Sequence, residues 1–255
     1  MSDADWAREM TVMVTGATSG FGEAMARRFL GAGARVLVSG RRQERLDKLA
    51  GLSDRIHAAA LDVRDQKAVA AYVAGLPADF SNVDVLVNNA GLAAGLGKAQ
   101  EADLDDWNIM VDTNIKGLMY VTHAVLPGMV ERSRGHVINI GSVAGSYPYP
   151  GGNVYGATKA FTRQFTLNLK SDLLGTPVRV TSIEPGMAET EFSLVRFHGD
   201  EAAAGKVYQG MQPLSADDIA LIVETAVRMP AHVNLNTIEV MPVAQAFSPF
   251  AVSRS

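Results

Sequence analysis

The sequence predicts an α/β protein built on one doubly wound parallel sheet of about seven strands with helices on both faces. Three observations predict it. Short apolar runs alternate with longer helix-patterned stretches almost to the end of the 255 residues. Those runs are apolar on both faces, as strands covered by helices on each side require. The first run passes directly into a glycine-rich turn, Thr15-Gly16-Ala17-Thr18-Ser19-Gly20-Phe21-Gly22, that opens a helical pattern.

In order, the expected strands are residues 11–15, 35–39, 56–60, 83–87, 136–140, 178–183 and 237–240. The helical patterns between them are residues 20–30, 43–49, 66–74, 104–130, 154–174 and 216–228. Strand and helix alternating in this way call for right-handed crossovers between parallel neighbours. Two regions break the rhythm. Residues 186–214, with Gly199, Gly205 and Gly210, read as a mobile substrate segment. Residues 241–255 form a tail with Pro242, Pro249, Phe247 and Phe250. No linker or composition break divides the chain, so residues 1–255 are expected to be a single nucleotide-binding domain.

The bulk numbers exclude several classes. A net charge of −4 leaves no electrostatic footprint for nucleic acid, and Arg27-Arg28 and Arg41-Arg42 are too short for a membrane patch. There is no cysteine, hence no disulfide and no thiolate metal site, which fits a cytoplasmic protein. Asp3, Asp5, Arg8 and Glu9 break any signal-peptide core in residues 1–10. No apolar stretch approaches the ~18 residues of a membrane span. His57, His123, His136, His198 and His232 are scattered without ligand spacing, so no metal site is expected.

The glycines Gly16, Gly20 and Gly22 let a pyrophosphate approach the backbone where the helix N-terminus offers free N–H groups; Thr18, Ser19 and Phe21 lie in the same turn. The spacing is Gly-x-x-x-Gly-x-Gly rather than the usual Gly-x-Gly-x-x-Gly, and such a turn could bind nothing; its place after the first strand of a βαβ unit predicts a Rossmann-like dinucleotide site. The second strand ends Ser39-Gly40-Arg41-Arg42. An acidic residue expected there for a ribose 2′-hydroxyl is missing, while guanidinium groups suit a 2′-phosphate. The cofactor is therefore expected to be NADP(H), although either arginine could instead cap a helix or face water. Asp62 and Val63, after the third strand, are placed at the adenine edge; Asp62 could equally be a helix cap.

Tyr155 and Lys159 stand four apart in Tyr155-Gly156-Ala157-Thr158-Lys159, thirteen residues after Ser142. Residues four apart share a helix face, so the ammonium can favour ionisation of a phenol whose pKa starts near ~10. Ser142 ends a strand, where its hydroxyl could hold a substrate oxygen.

These residues resemble the short-chain dehydrogenase/reductase family over nearly the whole chain. The matching elements are the Gly16/Gly20/Gly22 turn, Asn88-Asn89-Ala90-Gly91, Asn114 in Asp112-Thr113-Asn114, Ser142, Tyr155/Lys159 and Pro185-Gly186. The closer likeness is to the NADP-dependent 3-hydroxy acid dehydrogenases, through residues 39–46, 152–161 and 230–234, and sulfoacetaldehyde reductases look similar to the same subgroup. The resemblance implies Tyr155 as acid/base and Lys159 as the residue that lowers its pKa and bonds the nicotinamide ribose. It implies that Ser142 orients the carbonyl and that Asn114 holds a water of a proton relay. Asn88, Ala90, Gly91, Pro185, Gly186 and Thr190 would line the cofactor. It also implies a homodimer or homotetramer.

The substrate is then expected to be a short anionic hydroxy acid or its aldehyde, of the 3-hydroxypropionate, serine or allo-threonine type. The alternatives are sulfoacetaldehyde, and a non-catalytic NADP-binding sensor. Tyr147, Tyr149 and Asn153 lie close in sequence to the reacting centre; Arg196 and Arg254 are the candidates to hold the anion, and the tail with Phe250 is expected to fold over the pocket of a neighbouring subunit. The tyrosines could instead pack with their prolines, and Arg254 could be a terminal charge in water.

Overall fold

Among residues 5–246, which this computed structural model describes, seven apolar runs form parallel strands. They are β1 (Thr11–Thr15), β2 (Arg35–Gly40), β3 (Ile56–Ala60), β4 (Val85–Asn88), β5 (His136–Ile140), β6 (Arg179–Pro185) and β7 (Thr237–Val240). The sheet order is β3-β2-β1-β4-β5-β6-β7. The order reverses between β1 and β4, and their C-terminal ends open the crevice where doubly wound sheets bind ligands.

Residue alternation explains why both faces are apolar. Val12, Val14, Val36 and Val38 pack on one face with Met25 and Phe29 of α1 (Gly20–Gly31), with Leu46 of α2 (Gln43–Ala50) and with Ile219 and Val223 of α9 (Ala216–Arg228). Their neighbours Met13, Leu37, Leu86 and Val137 face the other way. There they meet Val69 of α3 (Gln66–Ala74), Val121 and Val125 of α5 (Leu118–Glu131) and Leu169 of α6 (Asn153–Asp172). Each strand thus spends alternate side chains on two separate cores.

Three differences from the sequence expectation matter for the site. The helix expected over 104–130 is interrupted: α4 (Leu104–Val111) passes through a π-turn, Asp112–Gly117, before α5 begins. Second, β6 runs on to Pro185, which carries the chain to the mouth of the crevice. Third, residues 186–214 hold two short helices, α7 (Phe192–Arg196) and α8 (Glu201–Lys206). The base of that segment is pinned by Leu214 N–H to Met187 O at 3.0 Å and Glu189 N–H to Leu214 O at 2.9 Å. No helix among the described residues is long and apolar enough to cross a membrane. Phe250 and Arg254 lie outside the described residues.

Candidate active site

The crevice is a single elongated cavity. Its far end is lined by Gly16, Thr18, Ser19, Gly20 and Phe21, by Arg41 and Arg42 after β2, and by Asp62 and Val63 after β3. Ala90 and Gly91 lie midway; Ser142, Tyr155, Lys159, Pro185, Gly186 and Thr190 line the near end.

The turn after β1 requires its glycines. Gly16 has φ +64°, and a Cβ there would lie 2.8 Å from Ala90 Cα. A Cβ on Gly22 would lie 2.6 Å from Asn89 Nδ2. The turn is therefore pressed against the stretch that follows β4. Asn89, which sequence reasoning did not single out, laces the two together: its Nδ2 donates to Thr15 O (2.9 Å) and Gly16 O (3.1 Å). Its only signal was adjacency to Asn88.

Asn88 itself is a correction. It does not line the cavity but is buried beneath it, donating to Thr122 Oγ1 at 2.9 Å and Asn139 Oδ1 at 2.8 Å. Strand alternation turns Asn88 inward and leaves Asn89 at the rim.

At the phosphate end Arg42 donates from Nε to Thr18 Oγ1 (3.0 Å) and from Nη2 to Ser19 Oγ (2.6 Å). Its Nη1 meets Glu191 at 2.8 Å, and the same carboxylate takes Arg45 Nη1 at 2.7 Å. Neither Glu191 nor Arg45 was legible in the sequence. Asp62 is held by Arg64, whose backbone N–H (3.0 Å) and side chain both donate to it. That hydrogen bonding keeps its carboxyl below the usual range despite partial burial.

At the reacting end Tyr155 is buried among Leu92, Ala93 and Met110, with the Phe192 ring 5.6 Å away. Burial pushes the phenol up to about 12, against a lowering hydrogen bond from Ser142 and the nearby Arg196 cation. Lys159 Nζ lies 5.8 Å from the phenol ring centre and donates to Ile140 O at 2.9 Å. Burial lowers Lys159 to about 8. Desolvation outweighs the Ser142 hydrogen bond and the Arg196 cation at Tyr155. Ser142 Oγ also accepts from Ala144 N–H at 3.1 Å, which fixes the hydroxyl at the end of β5.

Asn114 sits in the π-turn, buried, with Oδ1 accepting from Leu92 N–H (2.9 Å) and Nδ2 donating to Leu92 O (2.8 Å) and Thr158 Oγ1 (3.0 Å). A Cβ on Gly91 would stand 3.2 Å from Asn114 Oδ1 and 3.5 Å from Lys159 Nζ. The structure thus brings Asn114 and Lys159 to one point behind the phenol.

The substrate candidates divide. Arg196, from α7, stacks with its guanidinium carbon 5.4 Å from the rings of both Tyr149 and Tyr155. It donates to the Tyr149 hydroxyl, while its buried Nε–H finds no acceptor among the described residues. Tyr147 is a correction: it lies off the cavity, more than a third exposed, and its hydroxyl donates to Glu239 of β7 at 3.3 Å. Asn153 is another: it ends up at the α6 start, donating to Gly97 O at 3.2 Å and accepting from Val154 N–H at 2.7 Å, so it braces a loop. The short-range alternation of residues 146–153 cannot decide which way each side chain turns once prolines bend the chain.

The model of the short chain dehydrogenase family matches residues 10–199. The chain belongs to that family. The NADP-dependent 3-hydroxy acid dehydrogenase YdfG of Salmonella typhi is 58% identical over 248 residues, 96% of this chain and 100% of the relative. Sulfoacetaldehyde reductase 2 of Chromohalobacter salexigens is 57% identical, covering 95% of this chain and 98% of the relative. The closed form of a serine dehydrogenase solved with NADP+ superposes with a TM-score of 0.96 at 56% identity, over 96% of this chain and 100% of that one. The matched residues 10–199 include the turn after β1, Ser142, Tyr155 and Lys159.

Proposed function

We propose that the protein is an NADP(H)-dependent oxidoreductase that interconverts a short anionic hydroxy acid and its aldehyde or ketone. One observation carries the reading: a buried phenol, with Lys159 Nζ 5.8 Å from its ring centre and Ser142 lining the same cavity, stands at one end of a cleft whose other end presents Arg41 and Arg42. The donor set fits a 2′-phosphorylated dinucleotide. The Arg42 guanidinium after β2 meets the Thr18 and Ser19 hydroxyls of the turn after β1, so donors of both kinds cluster there.

The nicotinamide, when bound, supplies or accepts the hydride. The chain's own residues do the rest. Thr18, Ser19, Gly20 and the start of α1 hold the pyrophosphate, and Arg41 and Arg42 take the 2′-phosphate. Ser142 orients the substrate oxygen, Tyr155 gives it a proton in reduction and removes one in oxidation, and Lys159 and Asn114 hold the relay that restores the proton. Arg196, whose guanidinium carbon lies 5.4 Å from the Tyr155 ring centre, is the cation we assign to the substrate's acidic group. Carboxylate and sulfonate both satisfy it.

Sequence likeness to a 3-hydroxy acid dehydrogenase, a serine dehydrogenase and a sulfoacetaldehyde reductase supports this class. We assign malonic semialdehyde-type acids first. Following NADPH consumption with malonic semialdehyde, 2-aminomalonate semialdehyde and sulfoacetaldehyde side by side tests the assignment; a clear kcat/KM preference for sulfoacetaldehyde replaces it by isethionate formation. A cytoplasmic homodimer or homotetramer fits the apolar side chains that α5 and α6 leave exposed, Met119, Val130 and Leu167, and sedimentation velocity checks it.

A further inference from the structure

The cavity has two walls remote in sequence. One is the turn after β1; the other is the stretch 185–192 between β6 and α7, which contributes Pro185, Gly186, Thr190 and Glu191. The walls touch in two places. A Cβ on Gly20 would lie 3.3 Å from Thr190 Cβ. One residue further on, the Glu191 carboxylate takes Arg42 Nη1 at 2.8 Å and Arg45 Nη1 at 2.7 and 2.9 Å. Both arginines reach back to the first wall: Arg42 to the Thr18 and Ser19 hydroxyls, and Arg45 to Thr18 O at 3.1 Å.

The contacts therefore form a closed ring across the mouth of the cleft, and its weakest link is ionic and partly exposed. Arg42 and Arg45 are three apart at the start of α2, so their charges repel unless an anion stands between them. Partial burial works to raise the Glu191 pKa, but the two guanidiniums reverse this and hold its carboxyl below the usual range. Once a phosphate also stands at these arginines, however, the Glu191 carboxylate and the phosphate repel each other. The carboxylate's retention needs another gain, and closing the ring supplies one.

We propose that Glu191 is a positioning residue for the cofactor: by bridging Arg42 and Arg45 it clasps residues 185–192 over the cleft, and the dinucleotide leaves only when this bridge opens. The proposal rests on the NADP(H) reading. It concerns retention, so it applies to the nicotinamide dinucleotide with or without the 2′-phosphate.

Release of NADPH and of NADH is measured by stopped-flow fluorescence from the full-length protein. The chains compared are wild type, Glu191→Gln, Arg45→Gln and the exchange Glu191→Arg with Arg45→Glu, each with a thermal melt to show that it is folded. Both single variants should release both nucleotides about two- to fivefold faster, the loss expected of one partly exposed ion pair. The exchange should return release towards the wild-type rate, because a carboxylate again stands between two guanidiniums. Unchanged release overturns the clasp. So does slower release in Glu191→Gln, which would make the carboxylate a competitor of the phosphate, and so does acceleration confined to NADPH, which would make it a holder of Arg42 alone. A wild type that binds neither nucleotide removes the cofactor reading itself, and the clasp with it.

Discussion

At the scale of single residues, the buried Lys159 sets function against stability. Its pKa is lowered from 10.5 to about 8 by burial, so the folded protein binds fewer protons than the unfolded chain between those values. Stability contributed by this group accordingly rises with pH across that window, and at neutral pH the buried ammonium is a cost. The gap corresponds to about 3 kcal/mol, from which the lost hydrogen bond to Ile140 O takes back about 1–2 kcal/mol. Lys159→Met should therefore melt about 2–6 °C above wild type at pH 7 while losing turnover. Calorimetry showing a lower Tm would mean that the ammonium is paid for by contacts within the fold. Tyr155→Phe belongs to the same scale: turnover should vanish while NADPH affinity, set at the other end of the cleft, stays within about threefold.

At the scale of elements, the π-turn Asp112–Gly117 decides where Asn114 points. An extra residue in one helical turn shifts every following side chain by about 100° relative to a regular helix. Here the shift lets Asn114 bridge both backbone groups of Leu92 and the Thr158 hydroxyl, and it seats Gly117 against Val63, where a Cβ would approach to 2.6 Å. Asn114→Ala leaves the Leu92 N–H and C=O buried without partners, so urea unfolding should show a loss of about 2–4 kcal/mol. Thr158→Ala removes the acceptor of Asn114 Nδ2 and a donor to Tyr155 O, leaves both Leu92 bonds in place, and should cost about 1 kcal/mol. Equal losses in the two variants would show that the Leu92 groups find other partners.

At the scale of the whole molecule, the cofactor should hold the halves of the sheet together. The cleft draws on residues after β1 through β6, so occupancy stabilises the fold as a unit. NADPH at about 100 times its Kd should add about 2.7 kcal/mol and raise Tm by about 5–10 °C. NADH at the same concentration should do markedly less, since Arg41 and Arg42 lack the 2′-phosphate. Equal shifts for both would remove the arginines from cofactor choice.

The parallel sheet and its cleft were legible in the chain because alternation, glycine spacing and strand-to-helix order are local properties. Val12/Met13/Val14 already states that two cores exist, and Gly16 to Gly22 already marks the tight turn that borders the crevice. Tertiary structure alone sent Tyr147 to Glu239 and laid Arg196 against Tyr155. It also brought Glu191 across to Arg42 and Arg45. A side chain's partner, unlike its helix or strand, depends on how distant segments pack, and no spacing within a segment encodes that.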